Sequence, residues 1–112
     1  MPNPPKSIGL LKKFVSTARS IITGQVGLPL GIMRLHKNFI GCRIHGIKPL
    51  SDDDLRIINS YYDLIKEYPI EQERLEWAPD VLQKLDENLE RITKASEPKI
   101  MPILIRIVTE AT

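Results

Sequence analysis

Near the middle of the chain, Pro69 and Pro79 bracket nine residues, Ile70 to Ala78, that continue neither of the amphipathic patterns on either side. Proline lacks the N–H that a helix interior needs, and its ring disfavours helical geometry in the residue before it. A helix arriving from the N-terminal side therefore stops at or before Tyr68. At a first helical position the missing N–H costs nothing, so Pro79 reads as the start of a new helix. The two prolines impose helix, connector, helix on the centre of the chain.

Upstream, Leu11, Phe14, Val15, Ala18, Ile21 and Ile22 recur at three- and four-residue spacing, which predicts a helix from about Ser7 with one buried face and lysines on the other, closing at Gly24. Residues 1–6 are proline-rich and unpatterned, so a frayed tail is expected there. Pro29 suits the first turn of a second helix with Ile32, Met33, Leu35, Phe39 and Ile40 on its apolar face. Gly31 interrupts that face, at about 1 kcal/mol relative to Ala; close approach of a neighbouring helix is one reason to keep it there, simple tolerance the other. Gly41 is expected to end this helix, with Cys42 to Leu50 as a loop punctuated by Gly46 and Pro49.

Ser51 followed by Asp52, Asp53 and Asp54 has the composition of a helix start: a hydroxyl to cap the unpaired amides, and carboxylates where the helix dipole favours negative charge. Leu55, Ile58, Tyr62 and Ile65 form the expected buried stripe. After Pro79, the residues Val81, Leu82, Leu85, Leu89 and Ile92 carry a fourth helix to about Lys94, with Trp77 packing on Leu82 as a hydrophobic staple. Residues 99–111 fit a strand or a helix; a lone strand would have no pairing partner, so a fifth helix from about Pro102 is preferred. The fold class is all-α, one compact bundle of about five helices spanning residues 1–112.

Composition matters chiefly through where the charge lies. Residues 1–50 carry eight lysines and arginines and no acid, whereas residues 51–90 carry twelve acids against four cations. Two such halves either attract each other or present two faces to different partners. One cysteine, Cys42, excludes an internal disulfide and any multi-cysteine metal site, which favours a reducing compartment, the cytoplasm. No apolar run reaches the ~18 residues of a membrane span.

Catalytic signatures are absent: there is no phosphate-binding glycine loop, no HExxH and no CxxC. Cys42 with His45, and Asp63 with Glu67, are weak pairings better read as a core thiol and a solvated helix face. A non-enzyme without cofactor or metal is expected. The candidate partner-binding residues are Tyr61, Asp63, Glu67, Glu71, Glu73 and Glu76, in and beside the acidic connector. Arg34, Lys37, Arg43 and Lys48, in a basic cluster with His36 and His45, are the alternative anion-binding set, for nucleic acid or another anion.

Two motifs resemble a known group. They are Gly24-x-x-x-Leu28-x-x-Gly31-x-x-x-Leu35, and Ser60-x-x-Asp63 followed by Pro69-x-x-x-x-Arg74-x-x-Trp77-x-x-x-x-Leu82-x-x-x-Asp86. Both are similar to those of small, mostly uncharacterised bacterial all-helical proteins, some associated with toxin-immunity contexts. The chain departs from that pattern at Tyr61-Tyr62, where the group has Glu-Thr, at Glu71, where it has Gly, and in a shorter gap between Asp63 and Pro69. The resemblance implies an immunity-type protein that neutralises a bacterial toxin, the acidic surface steering it onto a basic toxin domain.

Overall fold

The computed structural model describes residues 6–70 and 72–111. It consists of α1 (Lys6–Ile22), α2 (Leu28–Ile44), α3 (Asp52–Ile65), a short 3-10 helix η1 (Gln72–Glu76) and α4 (Pro79–Ala111), with no strand among the described residues. The four α-helices form an up-and-down bundle in which α1 packs on α2 and α4, and α3 closes the ring by packing on the same two. The frayed tail expected over residues 1–6 lies mostly outside the described residues; Lys6 is already helical. No described helix is long and apolar enough to cross a membrane.

The α1–α2 hairpin is set by Gly31. A Cβ at that position would overlap Ile21 Cγ1 and lie 2.6 Å from its Cδ1, so the missing side chain is what lets the two helices approach. Further along the same seam, Asn38 Nδ2 donates to Thr17 Oγ1 at 2.6 Å. Phe14, Ala18, Ile21, Ile32, Leu35 and Phe39 are buried between the helices. Leu11 and Ile40, expected on buried faces, are exposed.

The second helix does not stop at Gly41. It runs on to Ile44, and Cys42, expected in a loop, is a fully buried core residue within it. The end comes at Gly46, whose φ of 75° is open to glycine and strained for other residues. Gly46 N–H bonds the Arg43 carbonyl at 3.0 Å and Ile47 N–H bonds the Cys42 carbonyl at 2.9 Å. Those two bonds are the Schellman closure, completed by an apolar residue after the glycine.

The start of α3 agrees with its sequence signal. Ser51 Oγ accepts from Asp54 N–H at 3.2 Å, and Leu55 N–H bonds the Ser51 carbonyl. The stripe shifts: Ile58, Tyr61 and Ile65 are buried, and Leu55 only partly so. Tyr62 is half-buried, its ring stacked on His36 of α2 with centroids 3.7 Å apart.

The fourth and fifth expected helices are one. α4 is 33 residues long and holds both Pro98 and Pro102 in its interior. These prolines are four residues apart and exposed, so the carbonyls of Lys94 and Pro98 that lose their donors lie on the solvent side. Buried Ile100, Ile103 and Leu104 on the inner face hold the helix together through that region. Burial is confined to this half; none of the described residues from 79 to 99 is buried. The first half of α4 is therefore a sparsely covered arm of a molecule measuring 55 × 28 × 23 Å.

Candidate functional site

The connector and the first turns of α4 form the outer end of this arm. Leu82 N–H bonds the Ala78 carbonyl at 3.0 Å, so Ala78 takes the position before the first helical residue, as Pro79 requires. The connector is not a free loop. Arg74 Nη1 donates to Asp86 Oδ1 at 2.6 Å and Nη2 to Asp86 Oδ2 at 2.8 Å, and Nη1 also reaches the Pro69 carbonyl at 3.2 Å. This two-pronged pair clamps η1 onto α4, its planar fork matching the carboxylate. The Arg74 guanidinium holds the Asp86 carboxyl below its ordinary range. Glu73 Oε1 accepts the Ile70 N–H at 3.2 Å and braces the turn.

Held in this way, the connector turns apolar side chains outward. Leu75 is 89% exposed, Trp77 45% and Val81 38%. They fall within seven residues of one another in the chain, among exposed Glu73, Glu76 and Asp80. Trp77, expected to be covered as a staple on Leu82, and Val81, expected on the buried face, thus both present surface. The connector thus keeps large apolar groups wet on a braced element, among side chains of like charge.

The expected site residues do not all gather there. Tyr61 is 1% exposed; its hydroxyl lies 2.7 Å from Thr93 Oγ1, and burial pushes its phenol up. It is a core residue of the α3–α4 seam, because α4 covers that side of α3, and it has no surface role. Asp63 is exposed and pairs with Lys66 at 3.4 Å on α3. Glu67 is exposed just beyond that helix, and Glu71 lies outside the described residues. Glu73 and Glu76 are on η1. Leu75 and Val81 are the residues that the sequence patterns missed as surface.

The basic set divides as well. Arg34 and Lys37 line a shallow groove of about 330 Å³ with Leu30, Met33, Ile70 and Glu73, so an acid of the connector already faces it. Arg43 is half a helical turn out of phase with Arg34 on α2, and Lys48 is paired with Asp52 at 2.9 Å. The ion pairs formed among the described residues nearly all lie within the acidic half or between it and the C-terminal segment. Lys48–Asp52 alone spans the two halves, across their boundary in sequence. Lys12, Lys13, Arg19, Arg34, Lys37 and Arg43 make no ion pair with a described residue, so among the described residues direct pairing between the halves is confined to that boundary.

Among the described residues, no group of three or more His, Cys, Asp or Glu side chains is placed to hold a metal ion. Cys42 is enclosed in the core, and burial pushes its thiol up, away from the thiolate a nucleophile needs. Comparison of the chain with protein-family models, with curated proteins and with solved structures gives no match.

Proposed function

We propose that this chain is a non-catalytic binding module of the cytoplasm that docks a protein partner on the tip of its arm. The observation that carries this reading is the exposure of Leu75, Trp77 and Val81 on a connector braced by the Arg74–Asp86 clamp. Tryptophan and leucine on a pre-formed surface supply apolar area to a complex with little ordering cost. The surrounding Glu73, Glu76 and Asp80 select a basic partner and speed its arrival. The resemblance to bacterial immunity-type proteins gives the reading its most concrete form, a protein that binds and neutralises a basic toxin domain.

The test is affinity capture with the purified chain, beside a Leu75→Ser/Trp77→Ser variant of unchanged helicity. The expected result is a basic protein retained by the wild type, lost by the variant, and reconstituted as a stoichiometric complex from purified components. A partner held equally by the variant, or none at all, overturns the reading.

A second reading, an anion or nucleic-acid binder, is favoured by the unpaired cations of α1 and α2. It predicts affinity for DNA or RNA that falls steeply with salt as counterions are released. Arg43 faces away from Arg34, and Lys48 is occupied, so the set Arg34, Lys37, Arg43 and Lys48 forms no single patch. A titration that is flat at low salt removes this reading.

A further inference from the structure

At the end of the bundle away from the arm, α1 and the last turns of α4 border a groove of about 670 Å³. This is well within the range of pockets that enclose a ligand or a few side chains. Phe14, Val15 and Ile107 line it, together with Ile8 and Leu11, which remain 45% and 41% exposed. Lys12 and Arg19 stand over it from α1, two turns apart on one side of the helix, and Glu110 is the acid in the lining. The groove is thus apolar with a predominantly cationic rim. The tip of the arm is apolar with an anionic rim.

We infer that the protein associates head to tail, the tip of one copy (Leu75, Trp77 and Val81 with Glu76 and Asp80) seating in the Lys12–Arg19 groove of the next. The inference rests on the reading of the tip as a contact surface and names an occupant for it. Chemical match is the first support: each surface supplies the apolar area and the charge that the other lacks. Placement is the second. The tip sits at the N-terminal end of α4 and the groove at its C-terminal end, and the helix between Val81 and Ile107 separates the two by about 40 Å. One molecule cannot bring these ends together, so the match is available only between molecules. The third is that Lys12 and Arg19 make no ion pair with a described residue, Glu110 being the one acid beside them in the lining. A contact of this size lies at the weak end of protein interfaces. Because it joins unlike surfaces, it propagates into open chains or closes as a ring.

Sedimentation velocity of the full chain, from about 10 µM to about 500 µM, tests the inference at low salt and at about 0.5 M salt. Growth of the weight-average mass with concentration is expected at low salt, with association at least about tenfold weaker at high salt. A groove variant, Lys12→Glu/Arg19→Glu, and a tip variant that keeps its acids, Leu75→Ser/Trp77→Ser, change exposed side chains; each alone is expected to stay monomeric. Mixed, they retain one good tip and one good groove, and are expected to form a one-to-one pair that grows no further. A wild type that is monomeric throughout overturns the inference, as does association that survives in either variant or a mixture that fails to pair. The reading of the tip itself is tested apart: a monomeric wild type that captures a basic protein, with loss in the tip variant and retention in the groove variant, keeps that reading and discards self-association.

Discussion

Replacing Gly31 by alanine sets two effects of opposite sign against each other. In a helix interior, alanine is favoured over glycine by about 1 kcal/mol. At this position the new methyl would overlap Cγ1 of Ile21, a branch atom that can move only by rotating the whole side chain about χ1. Ile21 is buried, so the rotation has no solvent to enter, and relief comes from an off-rotamer side chain or from parting α1 and α2. Overpacking of this kind costs about 1–3 kcal/mol, and after the propensity gain a net loss of about 0–2 kcal/mol is expected for Gly31→Ala. Ile21→Ala alone should cost about 2–4 kcal/mol through the cavity it leaves. In the double variant the alanine methyl at 31 no longer meets Cγ1, so the two losses should fall short of their sum by at least about 1 kcal/mol. Gly9→Ala is the control, since nothing lies within 4 Å of the added carbon, and it should be neutral or stabilising. Urea unfolding followed by far-UV circular dichroism gives all four values. If Gly31→Ala stabilises as Gly9→Ala does, or the double variant is additive, the close approach does not hold the hairpin.

Pro102→Ala should restore a backbone bond to the Pro98 carbonyl and raise stability by about 1–3 kcal/mol, visible as a higher thermal midpoint; a lower midpoint would mean that the break itself is required. The Asp86 carboxyl is held low by Arg74, so its contribution to stability is present above the unfolded value near pH 4 and is lost as pH falls through the lower folded value. Asp86→Asn should therefore remove part of the acid-induced loss of stability below about pH 4, and an unchanged acid limb counts against the clamp. Cys42 should react with a thiol reagent only as fast as the bundle opens, so that mild urea accelerates labelling; fast labelling of the native protein would contradict its burial.

Local chemistry made some elements legible. Ser51 and Asp54 carry a cap in their spacing alone, and Pro79 can begin a helix whatever surrounds it. Where two local signals competed, the chain offered no way to choose. Gly41 and Gly46 are both plausible stops, and each is followed by a residue that can be buried, Cys42 or Ile47; only the folded structure, with φ of 75° at Gly46, chooses between them. Tyr61 and Tyr62 each fit three- or four-residue spacing with Ile58 and Ile65. Thr93 of α4 and His36 of α2 decide between them, and neither is a neighbour in sequence. Pro98 and Pro102 look like breaks because proline disfavours helix, and burial of Ile100, Ile103 and Leu104 outweighs that preference. The acidic connector was recognised as a candidate site. Which of its apolar residues are exposed is not legible in the chain, because that depends on the bond between Arg74 and Asp86, twelve residues apart.

The uneven burial along α4 divides one continuous helix into two units of different lifetime. Amides near Ile100 to Leu104 are enclosed by the bundle, and their hydrogens should exchange only when the whole molecule opens. Amides from Val81 to about Leu89 rest on the Arg74–Asp86 clamp and on half-covered leucines, so they should exchange by fraying from the N-terminal end while the core stays shut. Protection measured by native-state hydrogen exchange should therefore fall toward Pro79 along a helix with no loop in it. The contact surface proposed for the tip then sits on the part of the molecule that can loosen, re-form and be remodelled without endangering the fold.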